Sequence, residues 1–193
     1  MSKVTGVLAI LLLLSFAAVA QISKGSYLIG GNGGFNRYNY ELPNAITVKN
    51  TSINLSTNSA RFFFDRFAAG VSLSFRYDNY RYDSDSAQVS PSGLTDVGFG
   101  PFARYYFLNA TKKVNLLVDG RTGWKFSKSN VSNGAQFGYY GQYFDIYAGP
   151  AFFLSKVVSL ELLVGYSRFR SAGPDSKFRE FSSRAGLHVH IPR

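Results

Sequence analysis

Repeated period-two alternation, a leader-like first twenty residues and connections that alternate between short and long together predict the fold class. They predict an all-β chain: an eight-stranded antiparallel up-and-down transmembrane β-barrel, preceded by a cleavable signal peptide. Composition agrees. Aromatic residues make up 17% of the 193, mostly Phe and Tyr, and 19 glycines accompany them, which excludes disorder and suits strands that are apolar on one side only. Cysteine is absent, so disulfide staples, thiol nucleophiles and cysteine-bound zinc are excluded, and stability must come from a large hydrogen-bonded sheet.

Met1 to Ala20 reads as the signal peptide. Lys3 gives the positive start, Val7 to Ala18 is apolar except for Ser15, and Ala18-Val19-Ala20 supplies the small-x-small cleavage pattern. The expected mature domain is 21–193. The apolar stretch of the leader is shorter than the ~20 residues of a spanning helix, and no later run approaches that length. A mature chain held in a membrane would therefore have to be there as a closed barrel.

The first strand sets Tyr27, Ile29 and Phe35 against Ser26, Leu28, Gly30 and Asn32. The second, about Ser52 to Phe64, is the least regular, because Arg61 falls on the parity of Ile53 and Leu55 just before three consecutive Phe. A bulge, or an Arg reaching the membrane interface, would each explain this, and the sequence leaves both open. The third is the clearest, with Ala69, Val71, Leu73, Phe75 and Tyr77 against Gly70, Ser72, Ser74 and Arg76. The fourth carries Val97, Phe99, Pro101, Ala103 and Tyr105 on its apolar parity, and the fifth Leu116, Val118, Thr122 and Trp124. The sixth carries Ile146, Ala148, Pro150 and Phe152, the seventh Leu160, Leu162, Val164 and Tyr166, and the eighth Leu187, Val189 and Ile191.

Short connections are expected near Asp65-Arg66, Asn109 to Lys113 and Ser155-Lys156. Long ones are expected over Arg37 to Asn50, Asp78 to Leu94, Ser127 to Gln142 and Arg170 to Lys177. Segregation of this kind describes an outer-membrane barrel with both termini periplasmic and long loops outside. A soluble lipocalin-like barrel would put the apolar parity inside instead. Two features favour lipid outside. Across the last six strands the apolar parity has no charge in its central stretch, and the opposite parity is rich in Gly and Ser, as a cramped lumen requires.

The polar parity carries a candidate interior charge network: Arg76, Asp96, Arg104, Asp119, Arg121, Asp145, Glu161 and Arg184, with Lys125 beside them. Mixed signs on one face suggest structural pairing, since isolated buried charges are too costly. With Phe102, Tyr106, Tyr147 and Leu163 they would fill the lumen. His188 and His190, the only histidines, lie two apart on that face. They are weighed as a general base, as a metal pair completed by Glu161 or Asp145, or as interior polar residues near the periplasmic mouth. The last reading is preferred; no catalytic residue, metal or cofactor is expected. The net charge of +10 is spread without long basic runs, which argues against nucleic acid and leaves attraction to anionic lipid.

Gly100-Pro101-Phe102-Ala103-Arg104-Tyr105-Tyr106-Phe107 resembles the GPFxRYY strand of the small porin-family outer-membrane β-barrel domain. Ala148-Gly149-Pro150-Ala151-Phe152-Phe153-Leu154-Ser155 is similar to its GPxxxFLS strand and turn, and Phe63-Phe64-Asp65 followed by Gly70 to its first periplasmic turn. The resemblance covers 21–193 and implies an eight-stranded barrel with no shared catalytic residues. One departure is the C-terminus: many such barrels end on an aromatic residue read by the assembly machinery, whereas this chain ends Ile191-Pro192-Arg193. The expected function is a structural or surface-interaction role in an outer membrane, as a monomer. Its expected partners are outer-membrane lipids and lipopolysaccharide, the barrel-assembly machinery during insertion, and a surface ligand held by long loops rich in Tyr and Phe. The alternatives are a membrane-embedded lipid-modifying hydrolase using His188 or His190, and a soluble ligand carrier.

Overall fold

A computed structural model describes residues 22–42, 46–83, 89–130, 136–172 and 177–193. The expected signal peptide and its cleavage site lie outside them. The described residues form eight strands: β1 (Tyr27–Leu42), β2 (Ile46–Phe64), β3 (Phe67–Asp83), β4 (Val89–Tyr106), β5 (Val114–Asn130), β6 (Gln136–Phe153), β7 (Val158–Ser171) and β8 (Lys177–Ile191). Each pairs antiparallel with the next, and β8 pairs with β1, closing an up-and-down barrel.

Successive Cβ atoms of a strand point to opposite faces, so the alternation in the sequence becomes an outer and an inner wall. Ile29, Ile53, Leu73, Phe99, Leu116, Ile146, Val164 and Leu187 are exposed on the outer wall. Asn58, Ser72, Arg104, Asp119, Tyr147, Glu161 and His188 are buried inside. In β2 the outward parity runs unbroken from Ile53 to Phe63, so Arg61 points outward, with its guanidinium 5.8 Å from the Tyr27 ring centre. Phe62 keeps the inward parity, and the ladder shifts register between Phe62 and Phe64, which leaves Phe63 and Phe64 both exposed. The bulge weighed from the sequence is present, and the outward Arg61 stands one step before it.

The long loops expected from the sequence are a correction. Most of their residues continue the strands, with Tyr40 opposite Val48, Tyr80 opposite Ser92, Lys128 opposite Gly138 and Arg170 opposite Lys177. Period-two hydrophobicity marks only the part of a strand that has one apolar face. Beyond it, Asn, Ser, Lys and Tyr occupy both faces, and the ladder runs on without leaving that signature. The aromatic loop residues are thereby strand residues. The short connections are where they were expected, and Asp65-Arg66 is a two-residue turn.

Two strand prolines sit where the ladder is interrupted. β4 pairs with β5 through Phe99↔Trp124 and resumes at Phe102↔Arg121, and β6 pairs with β7 through Ala148↔Val164 and resumes at Ala151↔Glu161. Pro101 and Pro150 fall in those gaps, since proline has no N–H to donate. Gly100 and Gly123 face each other across the first gap, where a Cβ on Gly100 would overlap the Thr122 carbonyl oxygen. The closing seam is short: β1 and β8 pair from Tyr27↔Ile191 to Gly33↔Ala185, although both strands run on.

Candidate functional site: the lumen and its far mouth

The end nearest the termini is sealed by apolar side chains. Ile22, just ahead of β1, is 1% exposed and packs in a cluster with Leu28, Phe62, Tyr106, Leu117 and Phe153. Its carbonyl accepts from the Arg66 N–H at 2.8 Å, while the Gly25 N–H donates to the Phe62 carbonyl at 2.8 Å, which pins the N-terminal segment across the opening. Tyr106 is one of the lumen fillers expected from the sequence, and Ile22, Leu28, Phe62, Leu117 and Phe153 extend that apolar filling. Ile22 belongs to no periodic segment, so alternation could not flag it, whereas Phe62 lies on the inward parity of β2 with Asn58 and Ala60.

Above this seal lies the innermost charge cluster. Arg104 donates from Nη1 to Glu161 Oε1 at 2.7 Å and from Nη2 to Asp119 Oδ2 at 2.8 Å, and all three side chains are fully buried. Arg121 reaches Asp119 at 3.6 Å and donates to Ser56 Oγ at 2.8 Å. Arg184 lies 3.9 Å from the Tyr147 ring centre and 3.5 Å from Asp145. The Tyr147 hydroxyl is in turn hydrogen-bonded to Ser182 and Ser167. Lys125 pairs with Asp96 at 3.7 Å.

Arg76 departs from the simplest expectation. Asp96 sits directly opposite it on β4, yet Arg76 binds Asp78 two residues along its own strand and Glu180 of β8 across the lumen. These two carboxylates were missed by the sequence reading, Asp78 because it fell in an expected loop. With them the lumen holds Asp78, Asp96, Asp119, Asp145, Glu161 and Glu180 against Arg76, Arg104, Arg121, Lys125 and Arg184. The candidate network is therefore brought together as a column of local pairs rather than one cluster.

The histidines are both buried. His188 Nδ1 lies 3.1 Å from Glu161 Oε2, and His190 Nε2 lies 3.2 Å from Ser159 Oγ. The rings of Phe62, Tyr106 and Phe153 surround His190. The two serines of β8 are turned away from the histidines: Ser182 is held by Tyr147, and Ser183 faces outward. The sequence reading missed Ser159, which sits on another strand. Among the described residues no group of three or more His, Cys, Asp or Glu is placed to hold a metal, and Asp145 pairs with Arg184 instead.

Among the described residues the other end of the lumen is open. A cavity of about 800 Å³ begins at Arg76, Asp96 and Lys125 and rises between Tyr80, Tyr139, Phe169 and Phe178. It forms a cup with a charged floor and aromatic walls, built from strand extensions.

No family model matches the chain, and no curated protein matches it by sequence. Solved structures do match it in shape. The chain is similar to Neisserial surface protein A, at 16% identity, over 86% of this chain and 97% of that one, with a TM-score of 0.52. It is also similar to the outer membrane protein OprG from Pseudomonas aeruginosa, at 12% identity, over 91% of this chain and all of that one, again with a TM-score of 0.52. The chain thus has the fold of the small eight-stranded outer-membrane β-barrels.

Proposed function

We propose that this chain is an integral protein of a Gram-negative-type outer membrane, with both termini periplasmic and a non-catalytic, structural or surface-interaction role. The observation that carries the reading is the inversion of polarity between the walls. Large apolar side chains such as Leu73, Phe99 and Val164 are exposed, while Arg104, Asp119 and Glu161 are buried. In water this arrangement would be unfavourable twice over; in a bilayer it is the stable one. The surface role is supported by the aromatic cup at the mouth away from the termini. The cup replaces the long loops as the place where a ligand would be held, because tyrosine and phenylalanine give large contact area with few rotatable bonds.

Outer-membrane lipids, lipopolysaccharide and the assembly machinery remain the proposed partners, and the protein acts as a monomer. The test is fractionation of cells making the full chain. The protein is expected in the outer-membrane fraction, resistant to carbonate and released by detergent. Recovery in the periplasmic supernatant without detergent would end the membrane reading and favour the soluble carrier.

A further inference from the structure

The outer wall of β7 and β8 changes character abruptly toward the cup. On β7 the outward residues run Leu162, Val164, Tyr166, Arg168, Arg170, and on β8 they run Leu187, Ala185, Ser183, Phe181, Arg179, Lys177. The register sets Arg168 directly opposite Arg179 and Arg170 directly opposite Lys177. All four side chains are exposed. Among the described residues none of the four forms an ion pair. Glu180 lies between them in sequence but faces the lumen, where Arg76 holds it. The next strand offers only Phe144 opposite Arg168 and Gln142 opposite Arg170.

Like charges directly opposite on an antiparallel ladder destabilise it. Two successive rungs of cation facing cation carry that penalty, and among the described residues no neighbouring carboxylate offsets it. An anion bridging the pairs would. Directly opposed residues have Cβ atoms roughly 5 Å apart, close enough for two guanidinium groups to share one phosphate through their planar forks.

The height of the patch says which anion. From Ile191 to Phe181 the outward face of β8 carries no charge. Ten residues at ~3.4 Å, tilted by ~40°, span roughly 25 Å, about the height of the apolar band of an outer-membrane barrel. Phe181, at 75% exposure, closes that band, and Arg179 is the first outward residue beyond it. Arg170 also borders an outer-wall groove of about 430 Å³ that runs past Gln142 and Tyr140 to Trp124. Cations above an apolar band, with an aromatic groove beside them, match an amphiphile whose phosphates meet the cations and whose chains lie below.

We propose that Arg168, Arg170, Lys177 and Arg179 form a docking site for the phosphates of lipopolysaccharide in the outer leaflet. This rests on the membrane orientation proposed above. The test uses the full mature chain in neutral detergent, titrated with purified rough-type lipopolysaccharide and read by native mass spectrometry. Each cation at an anionic lipid surface contributes about fivefold in affinity. R168Q/R179Q and R170Q/K177Q should therefore each bind roughly 25-fold more weakly, while R61Q at the other end stays within about twofold. Enzymatic removal of the lipid phosphates should abolish the difference between wild type and variants. In lipid-free detergent both double variants should melt at or above the wild-type temperature, because the repulsive rungs are gone; a merely structural role would lower it. Unchanged lipopolysaccharide binding in both variants would overturn the proposal. So would equal affinity for phosphatidylglycerol or for a sulfated glycan, which would mark a generic anion surface. A protein that needs detergent for extraction yet is indifferent to these substitutions sinks this inference alone; one recovered without detergent sinks the membrane reading first.

Discussion

Replacing Arg104 by Met should be among the most damaging single changes inside the barrel. The Met side chain keeps much of the arginine's aliphatic volume and removes only the cation. Arg104 bridges Glu161 and Asp119 at 2.7 and 2.8 Å, with all three side chains out of solvent, and its Nη1 also lies 3.2 Å from the Tyr106 hydroxyl. Without it two buried carboxylates lose their principal partner. Asp119 keeps only Arg121 at 3.6 Å, and Glu161 keeps His188 at 3.1 Å and the Ser159 hydroxyl at 3.3 Å. Breaking a buried pair by removing one partner costs about 3–5 kcal/mol. The remaining weak partners hold the total within that range rather than doubling it. Neutralising the orphans should then restore stability: R104M/D119N/E161Q is expected to recover at least half of the loss. Urea unfolding in lipid vesicles, followed through the fluorescence of Trp124, measures all three proteins. A loss below about 1 kcal/mol for R104M would refute the reasoning, because it would mean that water solvates the inner cluster.

On the outer wall, L73R should destabilise the barrel by roughly 2–4 kcal/mol, and more than S74R, whose side chain enters the polar lumen; vesicle unfolding that ranked them the other way would invert the assignment of faces. G100A should cost about 1–3 kcal/mol through overlap with the Thr122 carbonyl, whereas G120A, with 4.0 Å to its nearest neighbour, should be close to neutral in the same assay. I22D should weaken the seal at the terminal end by at least about 2 kcal/mol, since it buries a carboxylate among Phe62, Tyr106 and Phe153. Wild-type protein in a planar bilayer should show little or no steady current, because the lumen is filled from Ile22 to Arg76; large stable openings like those of a general porin would contradict this.

The parity of the walls was legible because one face carries no charge across the middle of the strands. Leu73, Phe75 and Tyr77 could not be read any other way. Strand length was not legible, since Asn50, Ser52 and Asp78 are polar and face inward just where the outer face also turns polar. Membership of the network could be read from parity, but partner choice could not. Arg76 has Asp96 directly opposite, yet its long side chain reaches Asp78 and Glu180, leaving Asp96 to Lys125. Which residues meet across a lumen depends on the stagger of the closed sheet, and alternation carries no information about that. His190 and Ser159 illustrate the same point: they are 31 residues apart and meet only because β7 and β8 are neighbours.

The central claim is that the apolar parity lies in lipid, and the chain's only tryptophan sits on that parity to report it. Trp124 is half exposed on the outer wall, beside Phe99 at 6.3 Å between ring centres. Its fluorescence should be measured in vesicles containing acyl-brominated lipid and, separately, with aqueous acrylamide. The account predicts strong quenching by the brominated chains and little by acrylamide. Efficient acrylamide quenching with no response to brominated lipid would place Trp124 in water and contradict the assignment of the outer wall to the membrane.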